Sequence, residues 1–118
     1  MYEILFYKDK NDNEPIKDYI QELAQKKNSK DARIKLKKIF EYLHKLRTYG
    51  TRIGAPTVKH IEGDIWELRP TNNRIFFFYW KNDTFVLLHH FTKKTQKTPA
   101  KEIEQAQRNL NDFLERTE

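Results

Sequence analysis

Polar and apolar positions follow two rhythms along this chain, and the change from one to the other organises it. The opening run "YEILFY", Tyr2 to Tyr7, is rich in strand formers and is closed by the turn-forming "KDKNDN", so it predicts a first strand. Apolar residues then recur at Ile16, Tyr19, Ile20 and Leu23, the spacing of one helix face, with Asn13 as the expected N-cap and Pro15 in the first turn. Ser29 is the expected cap of a second, longer helix with Ala32, Leu36, Ile39, Phe40, Leu43 and Leu46 on its apolar face. Lys30, Arg33, Lys37, Lys38 and Lys45 fill the other side. The two amphipathic helices make a hairpin, which "GTRIGAP" ends.

After Pro56 the rhythm becomes that of strands. The segment "VKHIEGDIWELRP", with a turn around Gly63, leads into a strand ending at Pro70. "TNN" is a turn, "RIFFFYW" a second strand, "KND" another turn, and "TFVLLHHF" a third strand, which together predict an antiparallel meander. The middle strand is apolar on both parities, so it is expected to be central and covered on both faces. Thr98 as N-cap and Pro99 at the first helical position predict a last helix striped by Ile103, Ala106, Leu110, Phe113 and Leu114. The expected order is β-α-α-β-β-β-α, an α+β fold in one domain spanning residues 1–118, with the meander packed by the helical hairpin and the C-terminal helix.

Composition narrows the possibilities. The length of 118 residues suits one core, and the 14% aromatic share supplies bulk for it although 34% of residues are charged. There are no cysteines, which excludes disulfides, thiolate metal sites and cysteine nucleophiles. The sequence also lacks a glycine-rich phosphate loop, a metal-ligand spacing and a nucleophile elbow, so the expectation is no metal and no nucleotide cofactor. No apolar run approaches membrane-spanning length and no leader pattern opens the chain, which predicts a cytoplasmic protein. The formal charge of +6 favours polyanionic partners.

The candidate chemistry is therefore cationic. Strand alternation puts Glu67 and Arg69 on one face and Trp66 and Leu68 on the other. Arg69 and Arg74 flank one tight turn, and arginine suits phosphate oxygens because its fork is planar and permanently charged. A structural ion pair between Arg69 and Glu67 is the competing reading. The last strand delivers His89, His90, Lys93 and Lys94 to the same end of the sheet, and which histidine joins the arginines depends on register. Lys59 and His60 near the Gly63 turn, Lys97 in the "KKTQK" loop and Phe76 as a stacking ring are weaker RNA-binding candidates.

Beyond these features, "WELRPTNNRIFFFYW", the following "FVLLHHFTKKTQKTPAKEIEQAQ" and the element order together resemble the HigB toxins of the phage-related branch of the RelE/ParE superfamily, over nearly the whole chain. The resemblance implies a RelE-like fold and a type II toxin that cleaves mRNA on the translating bacterial ribosome, held in check by a helix-turn-helix, HigA-like antitoxin. It puts the basic cluster of such toxins at Arg69, Arg74, Lys93 and Lys94. Glu67 stands where RelE carries a lysine, and the tyrosine near the RelE C-terminus has no counterpart. The chemistry implied is metal-independent attack of a ribose 2′-OH on the adjacent phosphorus. Arg74 and Arg69 would stabilise the phosphorane, Lys93 and Lys94 would position the backbone, and His89, His90, Glu67 and Tyr79 are candidates for proton transfer. A ParE-like inhibitor of DNA gyrase on the same fold is the alternative.

Overall fold

The structure, a computed structural model, describes residues 1–117. Its elements are β1 (Glu3–Phe6), α1 (Pro15–Gln25), α2 (Lys30–Tyr49), a 3₁₀ turn (Gly50–Ile53), β2 (Val58–Glu62), β3 (Ile65–Leu68), β4 (Asn73–Tyr79), β5 (Thr84–Thr92) and α3 (Ala100–Thr117). The five strands form one sheet in the order β1-β5-β4-β3-β2. The expected α+β architecture is present, with one strand more than expected and a seat for β1 that the sequence leaves open. Val58–Glu62 is a strand of its own, antiparallel to β3, so the meander has four strands and not three. β1 joins the sheet parallel to β5, with Glu3 opposite Thr84.

Each helix starts where local chemistry stops the preceding loop. Ser29 caps α2 by accepting from the Ala32 amide at 3.1 Å. For α1 the expected cap moves by one residue. Glu14 holds the N-cap position before Pro15, while Asn13 belongs to a loop that Asp9 organises by accepting from the amides of Asn11 and Asn13, each at 2.9 Å. α3 begins at Ala100, one residue past the expected start at Pro99. Gly50 ends α2 with φ of +64°, and a Cβ there would lie 2.9 Å from the Tyr2 ring, so both backbone and space call for glycine.

The central strand β4 is buried on both faces, as its double parity requires. The α1–α2 hairpin covers the face bearing Val58, Leu68, Ile75, Phe77, Phe85 and Leu87. α3 covers the other, against Ile65, Phe76, Phe78, Val86 and Leu88. Phe40, expected on the apolar stripe of α2, is instead 53% exposed, because Ile39, Leu43 and Leu46 already fill the contact with the sheet. One irregularity decides the site. The register of β4 on β5 slips between Phe76 and Phe77: Phe77 faces Leu87, Phe76 faces His89, and Leu88 is left as a bulge. Asn109 of α3 meets that bulge by donating its side-chain amide to the Leu88 carbonyl at 2.8 Å.

Candidate active site

The bulge determines what β5 presents at its far end. A regular pairing continued from Phe77 and Leu87 would have placed Arg74 opposite His90; the extra residue exchanges the faces of everything beyond it. His89 therefore pairs with Phe76 and Phe91 with Arg74, on the face covered by α3, while His90 pairs with Ile75 on the hairpin face. The two neighbouring histidines end in different environments.

At this end of the sheet Arg69, Arg74, Lys93, Lys94, Thr95 and Gln96 line an open cleft of about 610 Å³. Backbone hydrogen bonds fix its walls: the Lys93 amide donates to the Asn72 carbonyl at 2.8 Å, joining the two sides, and the Arg69 amide donates to the Thr57 carbonyl at 3.0 Å, anchoring the arginine side to the approach to β2. The turn between the arginines is tight. Thr71 has φ of +54°, unusual for a β-branched residue, and its carbonyl accepts from Arg74 Nη1 at 2.8 Å. The Asn73 carbonyl accepts from the same nitrogen at 3.0 Å. Below the arginines lies Glu67, 1% exposed, with Oε1 at 3.4 Å from Arg69 Nε and 3.8 Å from Arg74 Nε. Burial pulls the Arg74 guanidinium below the usual arginine range; Glu67 offsets that, and the charge of Arg69 adds to it. The group nevertheless keeps its proton at any physiological pH. Four cationic side chains surround one open space, with a buried carboxylate beneath the two arginines, and guanidinium and ammonium groups so placed suit an anionic ligand.

The other expected site residues fall elsewhere. His90 is half-buried on the hairpin side, its ring stacked on Tyr19 at 4.5 Å, and burial together with the nearby His89 lowers its pKa. Tyr19 in turn donates to the side-chain oxygen of the buried Asn73 at 3.0 Å, so this group ties α1 to the sheet and leaves the cleft untouched. Tyr79 sits at the opposite end of β4, where its hydroxyl accepts from the Asp83 amide; the five residue steps from Arg74 to Tyr79 span about 17 Å, too far for shared chemistry. Phe76 is fully buried under α3 and cannot stack on a base. His60 bonds the Gly63 carbonyl at 2.8 Å and packs edge-on against Trp66, on the outer strand β2 beside the exposed Lys59. Lys97 is exposed in the loop beyond Gln96, and its carbonyl accepts from Thr95.

His89 remains on the arginine side, two residues along β5 from Phe91, on which its ring stacks. Its Nε2 lies 2.8 Å from Glu102 Oε1 in the first turn of α3. Glu102 had no signal in the sequence beyond its place after Pro99, where an acidic residue ordinarily serves the helix dipole. Thr95, Gln96 and the carbonyls of Thr71 and Asn73 also escape a reading based on charged side chains.

Among the described residues no helix is long and apolar enough to cross a membrane. No curated protein matches the chain. The family model described as phage derived protein Gp49-like (DUF891) matches residues 18–111, most of the chain and all the elements that build the cleft. With its α+β sheet and helices consistent with a RelE-like fold, the chain belongs to the Gp49-like phage-derived family, a family of RelE-like toxins.

Proposed function

We propose that this chain is the toxin of a type II toxin–antitoxin pair, of HigB type, and that it cuts mRNA on the translating ribosome. The observation that carries the reading is the convergence of Arg69, Arg74, Lys93 and Lys94 on one open cleft, on a chain whose family is RelE-like. In the reaction a base takes the proton of a ribose 2′-OH, the oxygen attacks the neighbouring phosphorus, and the bond from phosphorus to the 5′-oxygen breaks. The products are a 2′,3′-cyclic phosphate and a 5′-oxygen that takes up a proton. Negative charge builds on the equatorial oxygens, where Arg74 and Arg69 are the donors and the two lysines hold the flanking backbone.

For proton transfer His89 is the strongest candidate. It shares the arginine face, and Glu102 engages one ring nitrogen, leaving Nδ1 for proton exchange, the arrangement by which a carboxylate orients a catalytic imidazole. His90 and Tyr79 drop out on position. The partners are the ribosome, which orients the message and so supplies much of the entropic part of the barrier, and an antitoxin of helix-turn-helix type.

Primer extension on cellular mRNA after induction tests the reading. Cuts within translated frames, and a loss of about a hundredfold or more in cleavage by a folded Arg74→Ala variant, are expected. Growth arrest without RNA cuts and with gyrase inhibited would replace this reading with the ParE-like one. Growth arrest that persists undiminished in folded Arg74→Ala would remove the arginine assignment.

A further inference from the structure

Among the described residues Glu67 is the acidic side chain set against both arginines of the cleft, and its surroundings define a role. It lies in β3 opposite Phe76 of β4 and Lys59 of β2, on the face that α3 closes. Its carboxylate is 1% exposed, and Oε2 has no hydrogen-bond partner among the described residues. A proton acceptor must come within about 2.6–3.2 Å of the hydroxyl it serves. With the sheet below and two guanidinium groups beside it, Glu67 offers no such approach.

A guanidinium has several donor edges, and the edge that faces a phosphate decides how the phosphate is held. The Nε atoms of Arg69 and Arg74 lie 3.4 Å and 3.8 Å from Glu67 Oε1, so the Nε edge of each is directed at the carboxylate. Arg74 Nη1 is taken by the Thr71 and Asn73 carbonyls, which leaves Nη2 for a ligand. Arg74 Nε is itself buried and makes no hydrogen bond within the described residues, so charge attraction and not a directional bond sets this edge.

We propose that Glu67 is a positioning residue: it fixes which edge of Arg69 and Arg74 meets the scissile phosphate, and it carries no proton in the reaction. The proposal rests on the phosphate-cleft reading above. The conservative variant Glu67→Gln keeps the shape and one acceptor oxygen but loses the charge. Three measurements on it and on the wild-type chain are decisive: kcat and KM on translating ribosomes across pH, the Nε–H and Nη signals of ¹⁵N-arginine-labelled protein, and the response of those signals to inorganic phosphate.

Glu67→Gln is expected to lose about tenfold to a hundredfold in kcat with KM little changed, because misplaced donors act mainly on the transition state. The limbs of the pH profile should stay where they are, and the Arg69 and Arg74 Nε–H signals should shift as the neighbouring charge is lost. Glu67→Asp, with the charge restored one methylene shorter, should recover part of kcat, and it carries the comparison should the glutamine variant not fold. Wild-type kcat in Glu67→Gln overturns the proposal. So does loss of the acidic limb of the profile, which would make Glu67 the base. If the wild-type chain cuts no message, the cleavage reading falls by itself. The arginine signals then decide alone: shifted signals and an altered phosphate response in Glu67→Gln support positioning, and unchanged spectra overturn it.

Discussion

The fold disfavours the charged form of His90, and that makes part of the protein's stability depend on pH. Its pKa lies below the ordinary 6.5, first because it is buried and then because His89 is near, with Glu102 and Glu22 partly opposing. The unfolded chain therefore binds the proton more readily, and folding loses stability as protons become available. The contribution is complete above about pH 6.5 and is lost as pH falls from there through the lower folded value. Thermal midpoints should drop between about pH 7 and pH 5 in the wild-type chain and drop less in His90→Gln; parallel curves would show that the ring is not the source. Cleavage by His90→Gln should stay near wild type in the same samples, since the ring faces away from the cleft, whereas His89→Gln should not.

Among the elements, α3 is fixed by one buried polar contact as well as by its apolar stripe. Asn109 accepts from Gln105 at 2.9 Å and donates to the carbonyl of the bulged Leu88. Asn109→Ala strands that carbonyl and should cost about 1–3 kcal/mol, read as a lower denaturant midpoint at an unchanged slope. At the far end of α3, Tyr7 donates to Asp112 at 2.5 Å and Arg116 bonds the Lys8 carbonyl, so the helix is also fastened to the loop after β1. Burial and the adjoining Asp112 push the Tyr7 pKa up to about 12, so this clasp persists through the neutral range.

The helices were legible in the sequence because their stripes are local: Ile16 to Leu23 and Ile103 to Leu114 declare a face without reference to anything else. β2 was not, because "VKHIE" is largely solvated and reads equally well as the approach to β3. The parallel seat of β1 could not be read either, since Glu3 meets a partner more than eighty residues away and no turn chemistry marks the pairing. For the site, the arginines and lysines were legible from charge type and from their places at strand ends. The histidines were not, because their faces depend on a bulge at Leu88, where a leucine in a run of apolar residues carries no mark of being the extra one. Glu67 was visible as a charge, but its depth was not, since a strand that ends in "ELRP" shows nothing of what α3 lays over it.

Taken whole, the molecule is a cationic body with four of its basic side chains gathered around the cleft at one end of the sheet. Binding to RNA should weaken steeply with salt, because each neutralised phosphate releases counterions. Replacing both Lys93 and Lys94 by Gln should flatten the plot of log affinity against log salt by about 1.4 for single-stranded RNA. An unchanged slope would mean that the phosphates lie elsewhere on the surface. The parallel pairing of β1 with β5 has a further consequence, for synthesis. The first strand cannot take its seat until Thr84 to Leu87 have been made, and the residues of the cleft's second wall, Lys93 to Gln96, come later still. While a ribosome is still building this chain, the sheet that frames the cleft is unfinished, so the cleft takes shape only as synthesis ends. A chain truncated before residue 84 should leave its first strand unpaired and hand the cell's proteases an open substrate in place of a toxin.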